Sequence, residues 1–247
     1  MPVAMLWERP PITPDLTENK VVVWCADLDL APEKIDQLTK TLSADEQQRA
    51  DRFVASRHRQ HFTAARGILR QILGHYLQQA PQKLAFAYQE HGKPMLSDEF
   101  KGRLFFNLAH SQEIALYALC LNKELGVDIE QTARNVPGQQ IAQRFFSEME
   151  YETFMRLPIE EQPIAFFNCW TRKEAFIKAI GAGLSYSLRR FEVNYLPRQP
   201  AKLNRIDGDE QIAAQWALFD LQPAEGYVGA LALTKPVTEL VCYRWDF

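Results

Sequence analysis

The hydrophobic and polar positions follow two different spacings along the chain. Runs rich in β-branched and aromatic residues predict strands, and those in the first half cover 20–28, 104–107, 114–121 and 125–129. The last two runs are separated by a short polar turn, which predicts a hairpin. Apolar residues recur every three or four positions over 44–79 and 138–180, as expected of helices. Further strands are predicted at 190–195, 215–221, 227–233 and 239–245.

Two predicted helix starts share the same local pattern. The pattern is a capping box, in which a serine and the glutamate three positions later satisfy free amides, and it occurs at Ser43 with Glu46 and at Ser147 with Glu150. The amphipathic segments that follow are predicted to end at glycines, namely Gly74 and Gly181. Strands come after each of them, so the order of elements repeats.

This repeat predicts the fold class and the position of a binding site. We expect an α+β protein made of two similar α+β halves, 1–126 and 127–247, related by a pseudo-twofold axis. Ligand sites tend to lie where two such units meet. The active site is therefore predicted in the cleft between the halves.

Composition and charge narrow the class of protein. The chain has 247 residues and is 47% hydrophobic, which is enough to bury a large core. Its net charge of −3 argues against a general nucleic-acid binder. No apolar run reaches the roughly 20 residues of a membrane span, and the N-terminus lacks the plan of a signal peptide, so we expect a cytoplasmic protein without membrane association. Four cysteines are expected to be reduced core residues: Cys25, Cys120, Cys169 and Cys242.

Two acidic residues lie at the end of a predicted strand. Asp128 and Glu130 are two positions apart, so their side chains project from one face of the strand, at the edge of the predicted cleft. A pair of carboxylates, completed by water and substrate phosphates, is the environment that Mg²⁺ prefers. The alternative is a strand end whose acids face solvent, and the spacing alone leaves both interpretations open.

The segment from Trp170 to Lys178 has the pattern of a mostly buried helix that carries charged residues. Glu174 and Lys178 lie one turn apart, and one interpretation is a simple ion pair on an exposed face. The aromatic residues around them indicate burial, and buried charges need partners. Glu174 as a metal ligand or base, with Lys178 beside a phosphate, would supply those partners.

Candidate phosphate-binding residues are spread over the first half. Lys93 lies on a Gly-Lys-Pro turn and His110 ends a strand in a polar cluster, and each also has an ordinary structural interpretation. The sequence contains no glycine-rich nucleotide loop, so side chains would have to hold any phosphate. A dense basic patch is either a solvated helix face or a site for several phosphates. It contains Arg52, Arg57, Arg59, Arg66 and Arg70, with His58 and His61 between them.

Five short motifs occur along the chain: G-K-P at Gly92, F-N-L-A-H-S from Phe106, G-V-D-I-E from Gly126, F-F-S-x-x-E from Phe145 and W-T-R-K-E-A-F-I-K from Trp170. In order and spacing they resemble the 4′-phosphopantetheinyl transferases of the surfactin-synthetase-activating class. The resemblance covers roughly 52–184 by motif and implies a monomer with two α+β halves. It implies transfer of 4′-phosphopantetheine from coenzyme A (CoA) to a carrier serine, with release of 3′,5′-adenosine bisphosphate.

The resemblance also implies a metal site and a catalytic pair. Asp128, Glu130 and Glu174 would hold the Mg²⁺ that bridges the CoA pyrophosphate. Glu174 would accept the proton of the carrier serine, directly or through water. Lys178 would contact the transferred phosphate or protonate the leaving group.

Three more residues are implied as CoA ligands. His110 and Arg57 match positions that hold the 3′-phosphate, and Lys93 matches the lysine of the G-K-P turn. The chain departs from the family at Ala109, where members often have serine, so a hydroxyl contact to a phosphate is missing there.

The partners implied are apo acyl carrier, peptidyl carrier or polyketide carrier proteins, and the sequence does not choose among them. One alternative is another Mg²⁺-dependent phosphotransferase or a nucleotide hydrolase, which would turn over without a protein acceptor. A second is a non-catalytic binder of acidic helical proteins, which would leave the three acids without a task. The proline-containing segment 1–14 is expected either to pack across the second half or to be disordered.

Overall fold

A computed structural model of the protein describes residues 6–12, 14–97, 100, 102 and 104–246. Residues 1–5 and 13 of the N-terminal segment considered above lie outside this part of the chain. The described strands are β1 (Trp7–Glu8), β2 (Lys20–Asp27), β3 (Phe86–Tyr88), β4 (Pro94–Leu96), β5 (Phe105–Ser111), β6 (Ile114–Cys120), β7 (Leu125–Gln131), β8 (Phe191–Asn194), β9 (Lys202–Ile206), β10 (Trp216–Leu221), β11 (Tyr227–Thr234) and β12 (Glu239–Arg244). The described helices are α1 (Pro32–Thr39), α2 (Ala44–Asp51), α3 (Ser56–Leu77), α4 (Gly138–Phe145), α5 (Glu148–Met155), α6 (Gln162–Ile180) and α7 (Glu210–Ala214).

Two sheets form the centre of the molecule. The first has the strand order β1-β12-β2-β6-β5, and the second has the order β10-β11-β7. The predicted hairpin between 114–121 and 125–129 is wrong, because β6 pairs with β2 and β5 whereas β7 pairs with β11 in the other sheet. The tight hairpin is β5–β6, whose turn residue Gln112 adopts a positive φ of 51°.

The predicted repeat of elements is present in the structure. The order β2-α1-α2-α3-β3-β4-β5-β6 is followed by β7-α4-α5-α6-β8-β9-β10-β11, with α7 as an addition between β9 and β10. The protein is therefore an α+β fold made of two similar halves. The predicted division after residue 126 falls inside β7, and β12 at the C-terminus lies in the first sheet, parallel to β2.

Both predicted capping boxes form, and their glutamates are buried. Glu46 accepts from two arginines of α3: its carboxylate lies 2.7 Å from Arg66 Nη2 and 2.6 Å from Arg70 Nε. In the second half, Glu150 is 2.8 Å from the fully buried ammonium of Lys173 on α6. In each half, therefore, the start of a short helix is tied by a buried ion pair to the long helix that follows.

The ends of the two long helices differ from each other. α6 ends at Ile180, and Gly181 follows in the left-handed conformation with φ of 67°, as predicted. The prediction that the first helix ends at Gly74 is wrong, because α3 continues to Leu77 and Gln78 takes the left-handed position. Gly74 is needed instead for close packing, since a Cβ there would lie 2.7 Å from the carbonyl oxygen of Gln79.

Side chains on alternate faces of the strands pack into separate layers. One face of the first sheet packs against α3 through residues such as Trp24 and Ile68, and the second sheet packs against α6. The other faces meet each other in an apolar layer that includes Val23 and Val127. All four cysteines lie in the described residues and are buried thiols that form no disulfide. None of the helices in the described residues is both long and apolar enough to cross a membrane.

Candidate active site

A glycine on β7 sets the distance between that strand and α6. A Cβ at Gly126 would lie 2.1 Å from the carbonyl oxygen of Ala175 and 2.3 Å from the backbone nitrogen of Ala179. Only a residue without a side chain allows the helix backbone to come this close to the strand. The contact brings Glu174 and Lys178 of α6 next to the acidic end of β7.

Asp128 is the most buried acid of this cluster. Its Oδ1 lies 2.6 Å from Lys178 Nζ, whereas its Oδ2 is buried and has no hydrogen-bond partner within the described part of the chain. Burial raises the pKa of Asp128 to about 6 in spite of the lysine, and the negative charges of Glu174 and Glu130 act in the same direction. A buried carboxylate oxygen without a donor has lost its hydration and would gain from a cation.

The other two acids lie beside Asp128. Burial raises the pKa of Glu174, and the charge of Glu130 adds to this effect while Lys178 opposes it. Glu130 Oε2 accepts hydrogen bonds from Ser111 Oγ at 2.9 Å and from Arg134 Nη1 at 2.6 Å. The structure thus brings together the three predicted carboxylates and the predicted lysine.

The donor set fits a hard divalent cation, although two of its members, Asp128 and Glu130, now contact other side chains. Within the described residues, no three Asp, Glu, His or Cys side chains are already arranged as a metal site. Lys178 holds one oxygen of Asp128, and Arg134 holds one oxygen of Glu130. The partnerless Oδ2 of Asp128 is the atom that favours a cation here, because carboxylate oxygen is the ligand that Mg²⁺ selects.

A cavity of about 500 Å³ lies between α3 and the strands of the first half. His110, at the end of β5, is open to this cavity and also lies near the acid cluster. Desolvation lowers the pKa of its imidazole, and the positive charges of His61 and Lys178 lower it further, while Glu130 opposes them. The other lining residues include cations, rings and the turn before β4: Arg49, Phe53, Arg57, His58, Phe62, Arg66, Tyr88, Gly92 and Pro94.

The predicted phosphate ligands have different positions relative to this cavity. Arg57 lines it and is half exposed, with Nη2 3.1 Å from Asp29 Oδ2 and 3.8 Å from Glu113 Oε2. His61 Nε2 contacts the other oxygen of Asp29 at 2.5 Å. Lys93 is not among the lining residues, because its ammonium is bound to Glu124 Oε2 at 2.7 Å and to a backbone carbonyl.

The basic patch of 52–70 is divided between structure and surface. Arg70 is fully buried, where it binds Glu46 and two backbone carbonyls, so the interpretation of this residue as a phosphate ligand is wrong. Arg66 also binds Glu46 and donates to the hydroxyl of Tyr88. The exposed members of the patch are therefore the ones available to a ligand.

Three contacts at the site were not predicted from the sequence. Asp29 between Arg57 and His61 and Ser111 on Glu130 depend on chain segments meeting in space, whereas Arg134 reaches Glu130 from four residues further along the chain. Ser111 alone had a signal, since it ends the polar cluster that begins at Asn107. The other two residues lie in segments whose charge pattern is that of an ordinary surface.

Family models match both parts of the chain. Residues 30–121 match the model described as "4'-phosphopantetheinyl transferase, N-terminal", and residues 124–232 match the "4'-phosphopantetheinyl transferase superfamily". The second match contains the whole acid cluster on β7 and α6. The boundary between the two matches falls at the turn that leads from β6 into β7.

Curated proteins that resemble this chain carry the same family name. The 4'-phosphopantetheinyl transferase HetI of Nostoc sp. is 40% identical over 92% of this chain and 93% of its own length. The 4'-phosphopantetheinyl transferase psf-1 of Bacillus pumilus is 30% identical over 83% and 84%. A human L-aminoadipate-semialdehyde dehydrogenase-phosphopantetheinyl transferase is 29% identical over 80% of this chain and 68% of its own length. With family-model matches in both halves and a relative 40% identical over 92% of this chain, the chain belongs to the 4'-phosphopantetheinyl transferase family.

Proposed function

We propose that this protein transfers the 4′-phosphopantetheine group of CoA to a serine of an apo carrier protein, at the junction of β7 and α6. Membership of the family gives the reaction type and CoA as the substrate. The observation that carries the assignment of the site is the convergence of Asp128, Glu130, Glu174 and Lys178 beside a cavity with cationic walls. In the reaction, the serine oxygen attacks the β-phosphorus, and 3′,5′-adenosine bisphosphate leaves.

Asp128, Glu130 and Glu174 are proposed to hold a Mg²⁺ ion. Two observations support this assignment: Oδ2 of Asp128 has no hydrogen-bond partner among the described residues, and burial raises the pKa values of Asp128 and Glu174 in spite of the nearby Lys178. Both indicate carboxylates whose lost hydration is not fully replaced by the protein. When bound, the ion would offset the negative charge of the pyrophosphate oxygens. Lys178 would then be released from Asp128 and would be free to contact the transferred phosphate.

Glu174 is proposed as the residue that accepts the serine proton. A raised pKa makes a carboxylate a stronger base, which suits removal of a proton from a hydroxyl. Lys178, one turn later on α6, can stabilise the charge that develops on the phosphate or protonate the departing oxygen. Both groups are on a helix packed against β7 through Gly126, so their positions relative to Asp128 are set by the fold.

The cavity is proposed to hold the nucleotide part of CoA. Arg57 and His110 line it and are assigned to the 3′-phosphate, since a guanidinium and an imidazole can both donate to phosphate oxygens. Lys93 remains assigned to CoA by its place in the G-K-P turn, and it would have to leave Glu124 to reach the ligand. These assignments rest on position and chemistry together.

The carrier is proposed to be an acyl, peptidyl or polyketide carrier protein, and the enzyme is proposed to act as a cytoplasmic monomer. The two similar halves in one chain support the monomer, because a single copy supplies both the cavity of the first half and the acid cluster on β7 and α6 of the second half. Four buried cysteines without a disulfide among them suit a reducing compartment.

Intact mass spectrometry tests the proposal directly. The protein is incubated with CoA, Mg²⁺ and an apo acyl carrier protein, and the carrier should gain the mass of one phosphopantetheine group. The gain should disappear with a chelator and in Glu174→Gln, and it should persist in Glu148→Gln, a matched change at an exposed acid on α5. Release of nucleotide without any change in carrier mass, on several apo carriers, would instead identify a hydrolase.

A further inference from the structure

The two sheets meet along a seam between β5 and β7 that is closed by side chains. β5 is the edge strand of the first sheet, and β7 is the edge strand of the second. The two strands lie next to each other although they belong to different sheets. The backbone N–H of Val127 donates to Asn107 Oδ1 at 2.9 Å. The backbone N–H of Gln131 donates to Ser111 Oγ at 3.1 Å.

The two contacts have the same spacing on both strands. Asn107 and Ser111 are four residues apart on β5, and their acceptors meet amides that are four residues apart on β7. Both side chains are buried, so both contacts lie in the protein interior. Between the two anchored amides lie Asp128 and Glu130, the two acids that β7 contributes to the active site.

Ser111 makes a second contact that reaches an acid directly. Its hydroxyl donates to Glu130 Oε2 at 2.9 Å while its oxygen accepts from the amide of Gln131. A single side chain therefore fixes both the backbone after Glu130 and the carboxylate of Glu130. The opposite edge of β7 is held by its full pairing with β11, so the seam contacts fix the edge that would otherwise lack a partner strand.

We infer that Asn107 and Ser111 are positioning residues that hold Asp128 and Glu130 at the spacing needed for the divalent cation. This inference rests on the proposed function, because it assumes that the two acids are ligands. Groups that orient metal ligands from behind typically change metal affinity by about 10- to 100-fold when they are removed. Ser111 is expected to have the larger effect, since it holds a carboxylate as well as an amide.

The test measures binding of Mn²⁺, as a spectroscopic substitute for Mg²⁺, to the full chain without CoA. Electron paramagnetic resonance counts free Mn²⁺ in titrations of the wild type, Ser111→Ala, Asn107→Ala and Ser111→Thr. We expect Ser111→Ala to weaken binding about tenfold or more, Asn107→Ala to weaken it less, and Ser111→Thr to stay within about threefold because it keeps the hydroxyl. The control is Thr41→Ala, which removes a buried hydroxyl bound to the Leu38 carbonyl, away from the seam.

A transfer assay separates positioning from general stability. The Mg²⁺ concentration for half-maximal rate should rise in Ser111→Ala, and the rate should recover at high Mg²⁺. Mn²⁺ affinity equal to wild type in both folded alanine variants would overturn the inference, even with the metal site intact. Absence of Mn²⁺ binding by the wild type would overturn the metal assignment of the proposed function along with it. If one alanine variant does not fold, the other and Ser111→Thr decide the result.

Discussion

Lys178 Nζ lies 2.6 Å from Asp128 Oδ1 and supplies the positive charge nearest to the most buried acid of the site. The contact satisfies only one of the two carboxylate oxygens, since Oδ2 has no donor within the described residues. Burial removes water from this carboxylate and the single lysine contact does not replace it, so the ionised form is less favourable than in water and the pKa of Asp128 is raised. The same lysine is one of the residues assigned to the reaction, so ion binding and the release of Lys178 are expected to be coupled.

The raised pKa of Asp128 predicts that the free energy of unfolding of the metal-free protein depends on pH. The pKa of Asp128 is about 6 in the folded protein against an ordinary value of 3.8, so the folded state binds the proton more tightly than the unfolded state. Stability is then highest below pH 4 with respect to this group and is lost as the pH rises through 6. Asp128→Asn should therefore be more stable than wild type at pH 8, by at most about 3 kcal/mol minus the lost Lys178 contact.

Urea unfolding at pH 4 and pH 8, with a chelator present, measures this difference. The two proteins should differ little at pH 4 and diverge at pH 8. In a separate transfer assay with Mg²⁺ at pH 8, Asp128→Asn should lose activity. Asp36→Asn, at an exposed acid on α1, controls for the change in net charge. A gap between Asp128→Asn and wild type that is the same at both pH values would contradict the pKa assignment.

The close contact at Gly126 predicts a large effect from the smallest substitution. A Cβ at this position would overlap the backbone of α6 at Ala175 and Ala179, and backbone atoms cannot move aside as a flexible side chain can. Gly126→Ala should destabilise the protein by about 3 kcal/mol or more and reduce activity by displacing Glu174 and Lys178. Urea unfolding and the carrier mass assay measure the two effects.

Gly138→Ala is the matched control for that change. Gly138 lies at the start of α4, and its added Cβ would meet Phe166 at 3.4 Å, which is an ordinary contact. Alanine is also the better helix former, so this variant should be as stable as the wild type or slightly more stable. Equal stability of Gly126→Ala and Gly138→Ala would show that α6 can move away from β7 at little cost.

The sequence was informative where spacing alone determines geometry. The alternation of Asp128 and Glu130 placed both acids on one face, and the capping boxes at Ser43 and Ser147 marked two helix starts that the structure confirms. Strand pairing was not determined in this way, because β6 and β7 are adjacent in the chain but lie in different sheets. Pairing depends on which strand edges meet, and a short polar turn fits a crossing between sheets as well as a hairpin.

Contacts between charged residues that are distant in the chain also could not be predicted from the sequence. Arg70 and Arg57 belong to the same basic stretch of α3, yet one is buried on Glu46 and the other faces the cavity. Which arginine turns inward depends on where the capping box of α2 packs, and this is a tertiary contact. Motif resemblance selected Arg57 because it compares positions, whereas charge pattern alone treats both residues alike.

The buried ion pairs of the two capping boxes predict matching losses of stability. Glu46→Gln leaves Arg66 and Arg70 without a counter-ion, and Glu150→Gln does the same to Lys173. Removing one member of a buried pair typically costs about 3–5 kcal/mol, so both variants should lose stability on that scale. Thermal and urea unfolding compare them with Glu152→Gln, an exposed glutamate on α5 whose change should cost well under 1 kcal/mol. A large loss in only one of the halves would show that the repeated arrangement is not energetically equivalent.

Asp29 predicts an increase in affinity when its charge is removed. Its two carboxylate oxygens contact His61 and Arg57, so it occupies donors that a ligand phosphate would use. Asp29 is half exposed, so its side chain can turn towards solvent. In its present position, its negative charge repels an incoming phosphate. If Arg57 binds the 3′-phosphate, Asp29→Asn should bind CoA about three- to tenfold more tightly, because the phosphate no longer competes with a carboxylate.

The comparison of two ligands makes this prediction specific. Dephospho-CoA lacks the 3′-phosphate, so its affinity should change little in Asp29→Asn, and isothermal titration of both ligands measures the ratio. Asp36→Asn makes the same charge change elsewhere on the surface and should leave the ratio unaltered. Weaker CoA binding in Asp29→Asn would mean that Asp29 orients Arg57 for the ligand and does not compete with it. Equal tightening of both ligands would point to a general electrostatic effect and would remove the 3′-phosphate from the vicinity of Arg57.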